Sequence, residues 1–196
     1  MKNVWSILLL VGLLVPSCRN TNDSTNSSSN AQLDEVYTFS DLDTSDMQNI
    51  SLVEYDLNMS IKLPVVATAT GAEIKPIIQH IDGDYLWFIS IGEQFKLVIE
   101  DYAKEFNKVQ WFQKRLDAQK DVFAVTYLVK EPHLLFYKRE LVAGNGGKPT
   151  YHCFSELEID GYNYVLRSSE FGGHEQVIKD MVVSIKTARP ITIANS

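Results

Sequence analysis

The chain predicts an α+β fold: a mostly antiparallel sheet covered by helices on both faces, an αβα sandwich. Three observations carry this. Apolar residues alternate with polar ones in run after run, the period-2 signature of half-buried strands. Several runs meet at short turn signals such as Asp160-Gly161, and hairpins pair strands antiparallel. Some runs are apolar on both faces. Val122, Ala124 and Leu128 point one way, while Phe123, Val125, Tyr127 and Val129 point the other. A sheet buried on both sides needs cover on both, and two helical stretches, one per side, would supply it.

The elements follow in order. Leu33 to Asp56 is a mixed, acidic leading segment, with one short strand expected near Leu52 to Tyr55. Leu57, Met59, Ile61 and Leu63 then alternate with Asn58, Ser60 and Lys62, a strand that Pro64 stops. Ala72 to Ile81 reads as a strand disturbed at Pro76, and Asp82-Gly83-Asp84 as a hairpin turn into Tyr85 to Ile91. Past Gly92, a strand runs from Phe95 to about Asp101. A helix follows from about Tyr102 to Ala118, rich in good helix formers and free of Gly and Pro. Val122 to Lys130 and His133 to Leu141 are strands with a tight connection, and Ala143 to Pro149 is a loop. Tyr151 to Ile159 and Tyr162 to Ser168 form a hairpin about Asp160-Gly161. Glu175 to Thr187 closes the chain as an amphipathic helix, with Val177, Ile178, Met181, Val182 and Ile185 on one face.

The first thirty-five residues follow a different logic. Lys2 is a positive start, Val4 to Val15 is apolar, and Ser17 precedes Cys18. That is the layout of a signal peptide over residues 1–17, and the apolar run is shorter than the roughly 20 residues a spanning helix needs. Residues 18–35, rich in Ser and Asn, have too little apolar surface to offset ordering, so a disordered tether is expected. Residues 36–196 remain as one domain. The sequence Val15-Pro16-Ser17-Cys18 resembles the lipobox of bacterial lipoproteins. That resemblance implies a diacylglycerol-modified, acylated Cys18 as the mature N-terminus, anchored in a membrane, with the outer membrane expected and the domain in the periplasm or at the cell surface. Asp23-Ser24-Thr25 is similar to a short O-glycosylation sequon used by some Bacteroidetes.

A broader resemblance spans about Leu52 to Thr187. The strand NMSIKLP, the helix AKEFNKVQWFQKRLDA, the strands about KEPHLLFYKRE, the hairpin YHCFSELEIDGYNYVL and the helix EQVIKDMVVSIK together resemble the PsbP-like fold. That family includes photosystem II extrinsic subunits and a Ran-binding nuclear-transport factor. The chain is most similar to small Bacteroidetes lipoproteins of this architecture. Members of the family mostly bind partners, so the resemblance implies binding rather than one shared chemistry.

Composition narrows the function further. Removing residues 1–17, whose only charge is Lys2, takes the formal net charge from −7 to −8, against the basic surface of a nucleic-acid binder. With Cys18 acylated, Cys153 stands alone as a buried, inert thiol and no disulfide framework forms. His80, His133, His152 and His174 are scattered singly, without zinc-ligand spacing, and adjacent His152 and Cys153 would face opposite sides of a strand. Asp41, Asp43 and Asp46 lack the Gly and Glu of a calcium loop. Gly144 to Pro149 lacks the helix-opening Ser or Thr of a phosphate loop, and no GxSxG elbow is present. No cofactor or metal is therefore expected.

One charged cluster stands out. Lys104, Lys108, Trp111 and Arg115 make the middle helix a basic, aromatic element in an acidic chain, a candidate docking patch for an acidic partner or anionic head groups. The expectation is a membrane-tethered, non-catalytic accessory module with a protein partner in the envelope. The alternatives are a carbohydrate- or small-ligand-binding lipoprotein using Trp87 or Tyr85, and a cryptic hydrolase.

Overall fold

The computed structural model describes residues 39, 42–81, 83–142 and 147–191, and among these residues the chain forms twelve strands and two α-helices. All of these residues fall in one compact unit. Residues 1–38, with the signal peptide, Cys18, the tether and the glycosylation sequon, lie outside the described residues, as do Asp41, Asp82 and Gly144 to Gly146.

The strands are β1 (Met47–Ser51), β2 (Met59–Pro64), β3 (Val66–Ala67), β4 (Glu73–Ile74), β5 (Ile77–His80), β6 (Leu86–Ile91) and β7 (Phe95–Asp101). Helix α1 (Lys108–Ala118) follows, then β8 (Phe123–Glu131), β9 (Leu134–Leu141), β10 (Thr150–Ile159) and β11 (Tyr162–Ser168), then α2 (Glu175–Thr187) and β12 (Arg189–Pro190). Seven strands form the main sheet in the order β5-β6-β7-β11-β10-β9-β8, every pair antiparallel. A small sheet β1-β2-β12 and the pair β3-β4 complete the set.

The helix-covered αβα sandwich is not what forms. Strands take 47% of the described residues and helices 18%, and the main sheet curls into a half-barrel. The physical reason lies in how the two faces are filled. One face packs Trp87, Ile89, Leu97, Ile99, Phe136, Cys153 and Leu166 against both α2 and β2, so a second sheet shares the cover with a helix. The opposite face has a small core of Leu135, Tyr137, Phe154 and Val165 beneath Val109 and Leu116 of α1. Beyond α1 this face carries Ser90, Lys96, Glu100 and Arg167, whose register places them together across β6, β7 and β11. Those polar residues tolerate water, and the 11-residue α1 does not extend over them.

Three local differences from the sequence reading have identifiable causes. Leu52 to Tyr55 is not a strand: β1 ends at Ser51 and a 3-10 turn follows over Val53–Tyr55. The Leu52 carbonyl accepts the Tyr55 N–H at 2.9 Å, and Asp56 takes a left-handed φ of 61°. Helix α1 begins at Lys108 rather than Tyr102. Residues 102–107 are tied to β11 instead, through Tyr102 N–H to the Asn163 carbonyl (2.8 Å) and Asn163 Nδ2 to the Glu105 carbonyl (2.7 Å). In β8 the pairing slips between Tyr127 and Val129. That bulge sends Val129 into the α2-side core while Val125 and Tyr127 stay beside α1, so the strict alternation expected along β8 breaks there.

Candidate ligand-binding groove

The uncovered half of the α1 face is where the chain gathers chemistry. Six elements converge on a groove of about 520 Å³. Helix α1 supplies Trp111, Phe112 and Arg115; β9 supplies Tyr137 and Arg139; β10 supplies His152 and Phe154. Glu100 of β7, Arg167 of β11 and the turn Ser169 to Phe171 complete the lining. A second hollow of about 450 Å³ over β6 and β7 shares Ser169 and Phe171 with it, so Phe171 stands at the divide, 88% exposed.

The groove's floor is an aromatic stack. Phe112 lies on Phe154 with ring centroids 4.1 Å apart and planes 5° from parallel, and Tyr137 stacks on His152 at 5.1 Å. Helix α1 is held to this floor from both ends. The Glu156 carboxylate on β10 accepts the Lys108 N–H at 2.8 Å, filling a free donor of the helix start. The Tyr127 hydroxyl donates to Asp117 at 2.9 Å near the helix end.

The turn after β11 is set by backbone geometry. Gly172 has φ +67°, and a Cβ there would stand 2.5 Å from the Tyr151 carbonyl oxygen, so only glycine permits the chain to pass this close to β10. Gly173 and Tyr151 exchange backbone hydrogen bonds at 3.0 and 3.1 Å. The turn is thus pinned to β10 while Phe171 projects outward.

Three arginines line the groove in different states. Arg167 is neutralised: its Nε donates to Glu100 at 2.8 Å, and Nη2 reaches the same oxygen. Arg115 lies over the Trp111 ring at 4.9 Å, and Arg139 over Phe123 at 4.4 Å. Among the described residues neither has a carboxylate at ion-pair distance. Arg139 instead directs Nη2 toward the Glu170 carbonyl at a long 3.5 Å.

His152 is buried at 3% exposure, and its Nε2 lies 2.9 Å from the Thr150 hydroxyl. Burial, with the Arg139 charge adding to it, lowers its pKa to about 4. Cys153 points into the α2-side core, where burial pushes its thiol up to about 12. The two therefore occupy opposite faces and form no nucleophile–base pair.

Of the docking patch expected from sequence, Trp111 and Arg115 enter the groove and stack on each other, one helical turn apart. Lys104 is exposed ahead of α1. Lys108 packs over the Tyr102 ring at 4.2 Å and pairs with Glu105. Trp87 is buried at 5% exposure, donates its N–H to the Tyr55 carbonyl at 2.6 Å and stacks on His80; it presents no face to a sugar. Tyr85 is 71% exposed but lies outside the groove.

His133 meets Glu156 at 3.3 Å and His174 is the N-cap residue of α2. Among the described residues no three His, Cys, Asp or Glu side chains converge as a metal site would require. The Asp43 carboxylate accepts the Ser45 N–H and hydroxyl at 3.0 and 2.7 Å, which holds its pKa below the ordinary value. Among the described residues no helix is long and apolar enough to cross a membrane.

The sequence reading does not single out Arg139, Arg167 or Phe171 and sets His152 aside as a lone histidine, because strand register brings Arg139, His152 and Arg167 together and the turn after β11 adds Phe171. Tyr137 faces His152 and Phe154 faces Arg167 across β9, β10 and β11. No family model matches the chain, and no curated protein matches it.

Proposed function

We propose that the chain is a non-catalytic, ligand-binding module of the bacterial cell envelope, tethered through an acylated Cys18, with the α1-side groove as its binding site. The carrying observation is the groove itself: an open, aromatic-floored concavity with a few convergent polar groups, the usual form of a ligand site. The tether continues the lipobox reading of residues 15–18 and would hold the groove near the membrane.

The chemistry supports binding over catalysis. A histidine with a pKa of about 4 is a weak base near neutral pH, so it would do little to activate the Thr150 hydroxyl beside it. A protein-docking reading has its own observation. Edge strand β5 and the turn beyond it expose Ile77, Ile81 and Tyr85, and a partner strand could pair there.

The test is retention of small molecules. The purified full chain is incubated with the low-molecular-mass fraction of an envelope extract, washed, and its bound material released for mass spectrometry. A species retained by the wild type and lost from Trp111→Ala/Phe171→Ala supports the groove. Equal retention by both proteins rejects it. A protein crosslink at position 85, with nothing retained, replaces it with the docking reading.

A further inference from the structure

The groove's charge points to the class of ligand, an inference that rests on the ligand-binding reading above. Its lining sets three arginines against two carboxylates, Glu100 and Glu170, in a chain whose formal net charge is −7. An acidic protein repels anions over most of its surface, so a local excess of guanidinium marks where an anion can be held. One arginine is spent on Glu100. The other two are stacked rather than ion-paired. Stacking fixes a guanidinium plane while leaving its edge donors available for the two-point contact that suits carboxylate and phosphate oxygens.

The same rim exposes large aromatic surface. Trp111 is 51% exposed and Phe171 88%. Both line the groove together with Arg115 and Arg139. Exposed rings flanking a concavity gain by covering the flat face of a ligand. We propose that the groove binds a ring-bearing oxyanion, a carboxylate or phosphate held by Arg115 and Arg139 with its ring against Trp111 and Phe171.

The test is calorimetric titration of the full chain with benzoate, phenyl phosphate and glucuronate. Benzamide, methyl glucoside and inorganic phosphate serve as probes lacking the charge or the ring. The ring-bearing anions should bind at least tenfold more tightly than those controls, and more weakly as salt is raised. Arg115→Gln and Arg139→Gln should each cost about tenfold, with thermal unfolding unchanged, and Lys104→Gln should cost nothing. Equal affinity for benzoate and benzamide overturns the anion assignment while leaving the groove a ligand site. Equal affinity for phenyl phosphate and inorganic phosphate overturns the ring contact. If no probe binds but the extract still yields a groove-dependent species, the ligand class is wrong and the binding reading stands. If both assays are empty, both fall.

Discussion

His152 shows what burial does to a single side chain. Its ring is enclosed by Tyr137, Thr150 and the turn at Gly172, and protonating it there would place a charge in apolar surroundings beside Arg139. The folded pKa of about 4 lies below the ordinary 6.5. Between those values the unfolded chain binds more protons at this site than the folded one. The resulting stability is complete above pH 6.5 and is lost as pH falls toward 4, amounting to about 3 kcal/mol at most. Urea midpoints at pH 7 and pH 4.5 check this against His152→Gln, which removes the titration and keeps a polar group toward Thr150. The wild type should lose clearly more stability over that interval than the variant. Equal losses would mean that the imidazole does not couple to folding.

At the scale of elements, α1 is one wall of the groove, and its start depends on a residue far away in sequence. Glu156 lies on β10 with an 8% exposed side chain and accepts the first helical N–H. Glu156→Ala should cost about 1 kcal/mol, the usual value of a lost helix cap, or roughly 2–4 °C in melting temperature for a domain of this size. Faster amide exchange should be confined to the first turn of α1. Glu156→Gln keeps an acceptor and should recover most of the loss; uniform destabilisation by both variants would show that Glu156 acts elsewhere. This contact explains what could be read from sequence. Both β11 and α2 have the boundaries expected, because Asp160-Gly161 and the apolar stripe Ile178, Met181, Val182, Ile185 are local signals. The α1 start is not legible from local sequence because its competitor is tertiary: Tyr102 and Glu105 bond to Asn163, and Asn107 adopts a φ of 65°. The two-sided cover is not legible from the doubly apolar run that becomes β8, because β7 and β11 turn Lys96, Glu100 and Arg167 to the α1 side, a placement set by register. Trp111 and Arg115 are legible as one helix face, while Arg139 and His152 need the register of β9 and β10, and Phe171 needs the turn that Gly173 pins to Tyr151.

At the scale of the whole molecule, the proposed anchoring and the proposed binding are separate physical tasks. Two or more acyl chains, at about 0.8 kcal/mol per buried CH₂, hold a protein at a membrane regardless of what its domain binds. The groove depends on packing within the unit that holds the described residues, and the proposed ligand contacts on guanidinium and ring faces. Cys18→Ala should therefore change location without changing recognition. In detergent phase separation of cell lysates, the wild type should enter the detergent phase and the variant the aqueous phase. The purified variant should match wild-type affinity for phenyl phosphate. Detergent-phase partition of Cys18→Ala would show that something other than acylation holds the chain to the membrane. A large affinity change would show that the lipid or its tether reaches the groove, making the anchor part of the binding site rather than its support.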